Sequence, residues 1–276
     1  MQRIELAMEA EIGKYKKFLK EAEVSVFFSD LVSCKMFGIN HNNAGWAASI
    51  IKVPVMMEYF YLIDSQKIRL EDRLKIRHDY ALGKSRLLWM PDRAEITIEN
   101  LISLMIIESD NLAANMLIDS IGLSEINHLT GMLGCDNTKI SHLLLKGANI
   151  EYPGVGGKGC NTTSVSDMAE LMAFIYKPGF FSRKSRGIMQ AMLEYKGKNY
   201  TNVNRIFRQW LPFGTIVGAK SGVLENDIME AAVIDRKYAL CVMVNKAGKK
   251  SMWAAEMLMR YISGTVYSRQ HRGKNA

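Results

Sequence analysis

Ser49 and Lys52 are the residues whose types and spacing most directly suggest chemistry. They are three positions apart in the segment Ala-Ala-Ser-Ile-Ile-Lys-Val-Pro-Val-Met, and residues at i and i+3 share one face of a helix. A serine hydroxyl becomes an effective nucleophile when a neighbouring base takes its proton. A lysine can be that base if burial or another cation lowers its pKa, and the apolar neighbours of Lys52 predict such burial. A helix start that carries an exposed lysine is the plainer alternative.

Two further short motifs contain groups that could work with this pair. Ser109-Asp110-Asn111 lies between two predicted helices, and Lys220-Ser221-Gly222 ends a predicted strand. The patterns S-x-x-K, S-D-N and K-[ST]-G each occur once in the chain. Together and in this order, each in a helix, turn or strand context, they indicate a single constellation.

The elements that must position these motifs follow from periodicity and turn residues. The apolar periodicity of residues 2–21 predicts an amphipathic helix, and the two short β-rich runs that follow predict a hairpin. The middle of the chain is expected to be mostly helical and to contain a long glycine-rich loop over 142–161. The last part of the chain is expected to form three strands and a closing helix. The predicted helices are 49–64, 100–107, 111–121, 124–133, 164–176, 182–195 and 251–263, and the predicted strands are 24–28, 35–40, 215–220, 229–235 and 238–245.

This order predicts an α+β fold in which both chain ends build one antiparallel sheet. The first and last helices would cover one face of the sheet, with a helical lobe beside it. We expect a single domain over residues 1–268, with 1–42 and 205–268 forming the α/β lobe and 43–204 the helical lobe. Residues 269–276 would be a basic tail. A site is expected at the seam between the lobes.

The three motifs resemble those of the penicillin-recognising serine hydrolases, the class A β-lactamases and penicillin-binding proteins. The likeness extends to residues 101–115, which lead into and follow Ser109-Asp110-Asn111, and to Asn161-Thr162-Thr163-Ser164 after the long loop. It covers nearly the whole chain. The resemblance implies a β-lactamase/transpeptidase-like fold and an acyl-enzyme mechanism.

Carried over by position, the resemblance implies a role for each motif residue in acylation. Ser49 would be the nucleophile and Lys52 its base. Ser109 would relay a proton to the leaving nitrogen, since a hydroxyl both donates and accepts. The backbone N–H groups of Ser49 and Val223 would form the oxyanion hole.

The remaining motif residues would hold the substrate. Lys220 would attract a substrate carboxylate and help to keep Lys52 neutral by like-charge repulsion, and Ser221 would add a hydrogen bond to the same carboxylate. Asn111 would hold a substrate amide carbonyl and help to fix Lys52. Gly222 would let substrate lie close to the strand edge.

The sequence departs from the class A pattern in two places. The glutamate that activates the deacylating water would fall near residues 146–149, which contain no acid. Glu151 is the carboxylate of the loop, and it is either a displaced water-activating base or a surface residue. No arginine occurs between 223 and 235. Asp227 falls about where the family's arginine is expected. An acid there would either repel a β-lactam carboxylate or bind a substrate amine or cation instead, or Asp227 would simply cap a turn.

Three functions follow from these motifs and departures. The leading one is a β-lactamase-like serine hydrolase that forms an acyl-Ser49 intermediate on a β-lactam or a related amide or ester. The others are a D-Ala peptidase-like enzyme or transferase and a slow-deacylating penicillin-binding or sensor protein. Loss of the deacylating acid favours the sensor, whereas the expected absence of an attached partner domain or membrane anchor argues against it.

Composition excludes several other classes of function. The 276 residues carry a net charge of +8 but no nucleic-acid-binding pattern, so a small-molecule substrate is expected rather than nucleic acid. No apolar run is long enough for a membrane span, and no His or Cys spacing predicts a metal, so no cofactor is expected. An acidic N-terminus reads as cytoplasmic unless an export signal was removed. The oligomeric state cannot be read from the sequence.

Overall fold

The fold is built on a mixed set of strands and helices, and the computed structural model describes residues 2–81, 85–144, 161–195 and 206–271. The strands of this part of the chain are β1 (Glu23–Asp30), β2 (Met36–Ile39), β3 (Gly45–Trp46), β4 (Arg73–Lys75), β5 (Glu95–Thr97), β6 (Thr162–Thr163), β7 (Val217–Val223), β8 (Ile228–Ile234) and β9 (Tyr238–Asn245). The helices are α1 (Gln2–Tyr15), α2 (Lys52–Asp64), α3 (Ile98–Ile107), α4 (Asn111–Ile121), α5 (Leu123–Met132), α6 (Val165–Tyr176), α7 (Arg183–Glu194) and α8 (Met252–His271).

The main sheet joins the two ends of the chain. Its five strands are antiparallel in the order β2-β1-β9-β8-β7. The strand β1 therefore pairs with β9, with Val26 opposite Val242, and the hairpin of β1 and β2 forms one edge. The predicted α+β fold with one sheet from both chain ends is confirmed.

Two apolar cores lie on the two faces of this sheet, and β8 shows how the sequence divides between them. Met229, Ala231 and Val233 pack with the helices of the middle of the chain. Alternate residues such as Ile228 and Ala232 pack with α1 and α8. Both faces are covered, so the strand reads as a continuous apolar run rather than an alternating one.

Side-chain caps fix where the helices near the site begin. Thr97 caps α3, Asp110 caps α4, Ser164 caps α6 and Ser182 caps α7, each accepting a hydrogen bond from a backbone N–H of the first turn. Such caps satisfy donors that the helix itself leaves unpaired. The α4 cap has a direct bearing on the site, because Asp110 belongs to the Ser-Asp-Asn motif.

Several predicted boundaries differ from the structure. Helix α1 ends at Tyr15 rather than near residue 21, because the chain turns there and the N–H groups of Phe18 and Leu19 both bond to the Tyr15 carbonyl. Helix α8 continues to His271, since Ile262 and Val266 carry its buried face beyond residue 263. Strand β7 runs through Lys220-Ser221-Gly222 to Val223 instead of ending at that motif. In the part of the chain that is described, no helix has the length and apolarity needed to cross a bilayer.

Candidate active site

Ser49 lies in a tight turn that leads directly into α2. Residues Ala48–Ile51 form a 3₁₀ helix, so the serine precedes the α-helix on which the sequence had placed it. Ala48 has a φ of 42°, in the left-handed region that costs a residue with a Cβ some backbone strain. Burial of Ile50 and Ile51 anchors the turn, while Ser49 itself stays partly accessible.

The Lys52 side chain is completely buried and points at Ser49. Its Nζ lies 3.2 Å from Ser49 Oγ, 3.1 Å from Ser109 Oγ and 2.7 Å from Asn111 Oδ1, and it also donates to the Ser109 carbonyl at 2.6 Å. Burial holds the pKa of Lys52 well below its usual value, and the nearby Lys220 lowers it further, while Asp110 raises it. A neutral amine at this distance can accept the proton of Ser49 Oγ.

Ser109 stands between the two lysines of the motifs. Its Oγ is 3.1 Å from Lys52 Nζ and 3.0 Å from Lys220 Nζ. Its φ of 56° is a strained value for serine. Hydrogen bonds of the next residue stabilise this backbone conformation. The Asp110 N–H donates to the Leu104 carbonyl of α3, and the Asp110 carboxylate caps α4. The hydroxyl is therefore fixed where it can pass a proton between amines and a bound substrate.

Lys220 approaches from β7, on the other side of Ser109. Its side chain is completely buried, and besides Ser109 Oγ it donates to the Ser221 carbonyl at 3.0 Å. Burial lowers the pKa of Lys220 to about 7, against a charge on Glu230 that raises it. The group can thus change its charge near neutral pH, in contrast to a surface lysine.

Gly222 lets β7 pass close to the turn that contains Ser49. A Cβ at this position would lie 2.8 Å from both the Ser49 backbone nitrogen and the Ala48 Cβ, well inside van der Waals contact. Only a residue without a side chain allows this approach. Ser221 is buried and Val223 is exposed on either side of it. These contacts bring Ser49, Lys52, Ser109, Asn111 and the K-[ST]-G strand into one site.

Asp227, which the sequence analysis also singled out, is hydrogen-bonded within a turn. The Asp227 carboxylate accepts hydrogen bonds from Asn245 Nδ2 and from the Lys246 N–H, both at 3.0 Å, so it is committed to the turn at the end of β9. This arrangement favours the turn cap over substrate binding, the two alternatives left open for this residue. Glu151 lies outside the described residues.

Two acids that sequence reasoning did not assign accompany the lysines. Asp110 is buried and binds Ser85 Oγ and the Arg86 N–H as well as the start of α4. Glu230 is completely buried in β8. The signal for Glu230 was present in the sequence, since it is the one charged residue in the strand Ile-Met-Glu-Ala-Ala-Val-Ile. Among the described residues no group of three or more His, Cys, Asp or Glu could hold a metal ion.

Solved structures of other proteins share the α+β architecture of this chain. A β-lactamase from Sphaerobacter thermophilus is 25% identical to this chain, with a TM-score of 0.82 over 96% of this chain and 97% of its own. A β-lactamase from Xanthomonas campestris is 18% identical, with a TM-score of 0.83 over 96% and 98%. The penicillin-binding protein PBP-A is 24% identical, with a TM-score of 0.79 over 95% and 96%.

The family comparison covers almost the whole chain. A search of curated protein sequences gave no significant match. The model of the β-lactamase enzyme family, however, matches residues 7–270. This span contains all three motifs and every strand from β1 to β9. This chain therefore belongs to the β-lactamase enzyme family.

Proposed function

We propose that this protein is a serine hydrolase that forms an acyl-enzyme at Ser49 with a β-lactam or a related amide or ester. The observation that carries the proposal is the position of Lys52 Nζ, buried and 3.2 Å from Ser49 Oγ. A buried amine with a lowered pKa next to a partly accessible hydroxyl is the arrangement that nucleophilic catalysis requires.

Acylation begins when Lys52 accepts the Ser49 proton and Ser49 Oγ attacks the substrate carbonyl carbon. The oxyanion that forms is held by the backbone N–H groups of Ser49 and Val223, a contribution of about 3–4 kcal/mol per donor in comparable sites. The proton then returns to the leaving nitrogen through Ser109 Oγ, which is in hydrogen-bond range of Lys52. The C–N bond breaks and leaves an ester on Ser49.

Substrate orientation falls to the residues around this centre. Lys220 and Ser221 hold a carboxylate on the β7 side of the site, and Asn111 holds an amide carbonyl while its Oδ1 fixes Lys52. A bound carboxylate beside Lys220 would also favour the charged form of that lysine. The small-molecule β-lactams that the family takes as substrates carry both groups.

Two alternatives differ in what happens to the acyl-enzyme. Residues 146–149 contain no acid, so a water-activating carboxylate is missing at the expected place, and this favours a penicillin-binding or sensor protein that releases its acyl group slowly. PBP-A is a penicillin-binding neighbour, and one of its mutants has been solved as an acyl-enzyme complex with penicillin G. A D-Ala peptidase-like enzyme or transferase would use the same acylation steps on a peptide.

Time-resolved intact-mass measurements with penicillin G separate these outcomes. A transient adduct with accumulating opened lactam supports the hydrolase, and a Glu151→Gln variant that accumulates the adduct would identify the deacylating base. A stable adduct supports the slow-deacylating protein. No adduct on native protein removes penicillins from the substrates, and other amides and esters would then be tested. The Ser49→Ala variant is the control in each case.

A further inference from the structure

The surface formed by α1 and α8 carries a continuous row of five aromatic rings. In spatial order they are Trp210, Tyr261, Tyr15, Phe18 and Trp253, with successive ring centroids 5.0, 6.1, 6.4 and 5.1 Å apart. Trp253 is 55% exposed, Trp210 44% and Phe18 40%. Single exposed aromatic residues are common on protein surfaces, whereas a contiguous group of them indicates an interaction surface.

Close packing holds the rings of this row in place. A Cβ at Gly264 of α8 would lie 2.6 Å from Cδ1 of Trp210, so the missing side chain lets this indole lie against the helix. Successive rings are tilted or edge-on, with interplanar angles of 41° to 64°, which are favourable geometries for aromatic pairs. The row is therefore a fixed feature of the fold, although three of its rings are exposed.

Lysines surround the end of the row that contains Phe18 and Trp253. Residues 14–22 and 249–253 contain six lysines and a single acid, Glu21. Lys17 Nζ lies 4.8 Å from the centroid of the Phe18 ring. Within the described part of the chain, four of the six lysines are exposed and form no ion pair, namely Lys16, Lys17, Lys20 and Lys250. This end of the row therefore combines apolar rings with an uncompensated positive charge.

Two kinds of macromolecule fit this combination poorly. Single-stranded nucleic acid stacks its bases on open aromatic faces, but the rings of this row are tilted against one another and Lys17 lies over Phe18. A second copy of the chain, docked by two-fold symmetry, would bring the same patch of both subunits together. The lysines of the two copies would then repel each other.

An anionic lipid surface fits both the rings and the charge. Aromatic side chains, tryptophan above all, are favoured at the boundary between lipid headgroups and acyl chains. Lysines beside them are attracted by anionic headgroups, and their long apolar stems can lie along the same boundary. Binding of a peripheral protein to a bilayer gains from buried apolar area and from this attraction together.

We propose that the lysine-flanked end of the row docks on the surface of an anionic lipid bilayer. This lipid-binding face consists of Phe18, Trp253 and the lysines Lys16, Lys17, Lys20 and Lys250. Helices α1 and α8 pack on one face of the main sheet, whereas Ile50 and Ile51, which follow Ser49, pack on the other. Docking would therefore leave the Ser49 side of the sheet away from the lipid, and the proposal is independent of the chemistry at Ser49.

Cosedimentation of the full chain with sucrose-loaded vesicles tests the proposal. Vesicles of phosphatidylcholine alone are compared with vesicles that also contain about 30% phosphatidylglycerol. We expect at least about tenfold stronger binding to the anionic vesicles, and at least about a tenfold loss when salt is raised from about 0.1 to 0.5 M. Free glycerol phosphate should not displace the protein, since a headgroup without a bilayer offers the rings no apolar surface.

Paired variants separate this face from the overall positive charge. Lys16→Glu/Lys17→Glu should weaken binding to the anionic vesicles by at least about thirtyfold. Arg183→Glu/Lys184→Glu makes the same change in net charge at two exposed positions of α7, in the helical lobe, and should weaken it less than about threefold. Thermal unfolding checks that each variant folds.

Tryptophan fluorescence reports contact between the rings and the lipid. Phosphatidylcholine with brominated acyl chains quenches an indole that reaches the headgroup boundary, and the chain contains four tryptophans. We expect quenching of the native protein on anionic vesicles and loss of most of it in Trp253→Phe, which keeps an aromatic ring for binding. Trp89→Phe is the matched control. Trp89 is 80% exposed, but its segment packs through Leu87 in the core on the other face of the sheet, so the quenching should remain.

Several results would overturn the proposal. Equal binding to the two kinds of vesicle, or an equal loss in the two charge-reversal variants, would mean that this face has no special affinity for anionic lipid. Undiminished quenching in Trp253→Phe would place the lipid contact elsewhere. Self-association or binding of a single-stranded oligonucleotide that Trp253→Ala abolishes, without vesicle binding by the native protein, would assign the face to one of those partners instead.

Discussion

Replacing Gly222 by alanine should slow acylation strongly while leaving the fold largely intact. The glycine has ordinary strand geometry in β7, so the added methyl group acts through its contacts and not through backbone strain. It would lie 2.8 Å from the Ser49 nitrogen, 2.8 Å from the Ala48 Cβ and 2.9 Å from the Met229 Sδ. Two of these three contacts are with the turn that carries Ser49, the proposed nucleophile.

The size of the effect follows from these distances. Cβ contacts are rarely closer than 3.4 Å, so the strand and the Ser49 turn must separate by about 0.6 Å. That movement displaces the Ser49 N–H relative to the Val223 N–H, the two proposed oxyanion-hole donors. Loss of one such donor costs roughly 10²–10³-fold in rate, and a misplacement of about 1 Å costs about 10²-fold. We therefore expect acylation of Gly222→Ala to be about a hundredfold slower, with a stability cost of about 1–3 kcal/mol for the overpacking.

The assay is the rate of covalent labelling by a fluorescent penicillin, followed by intact mass beside a thermal unfolding curve. Gly187→Ala is the matched control, because this glycine is exposed on α7 and an added Cβ would meet no atom within 4 Å. It should label at the native rate and be more stable by up to about 1 kcal/mol. Labelling of folded Gly222→Ala at the native rate would refute the close approach of β7 to Ser49.

Three further predictions concern the buried groups. Lys52→Ala should slow acylation by about 10²–10⁴-fold. In the native protein the acylation rate should rise with pH through the lowered Lys52 pKa, because the neutral amine is the proposed base. A pH-independent rate in a stopped-flow titration would contradict this. Glu58 is 2% exposed and burial raises its pKa to about 7 from 4.5, so its protonated form stabilises the fold below pH 4.5 and this stability is lost as pH rises through 7. At about 1.4 kcal/mol per pH unit, Glu58→Gln should gain about 2–3 kcal/mol at pH 8 in denaturant titrations, and no gain relative to pH 4 would refute the assignment. An alanine Cβ at Gly218 would overlap Tyr176 Oη, so Gly218→Ala should lose at least about 2 kcal/mol of unfolding free energy. An unchanged thermal midpoint would argue against that packing.

Much of the fold was predictable because local patterns agree with the tertiary structure. The middle helices bury one face, which gives their sequences an apolar helical period. The strands at the two ends of the chain are buried on their faces, which gives them short apolar runs. The boundaries that failed depend on tertiary packing. Helix α1 ends at Tyr15 because the chain turns there to pack Leu19, and the two-residue strands β3 and β6 are too short to carry a pattern.

The motifs indicated which residues would lie together, but not how their side chains meet. Three unique motifs in order indicated the constellation, yet their spacing says nothing of the φ of 56° at Ser109 that places its hydroxyl between two lysines. The sequence shows that Glu230 is the one charged residue of its strand, but not that its side chain is buried. Strand β8 is covered on both faces, so an alternating pattern that would distinguish a solvent-facing glutamate from a buried one does not exist there.

The most direct measurement of the central claim is the location of the acyl group. Trypsin should release residues 36–52, a peptide that ends at Lys52 and contains Ser49 as its single hydroxyl-bearing residue. After brief exposure of the folded protein to penicillin G and an acid quench, we predict the added mass of the intact penicillin on this peptide, and none on Ser49→Ala. Cleavage after Lys52 would show that the lysine amine itself is unmodified. An adduct on any other peptide, or on this peptide in Ser49→Ala, would contradict the assignment of Ser49 as the nucleophile.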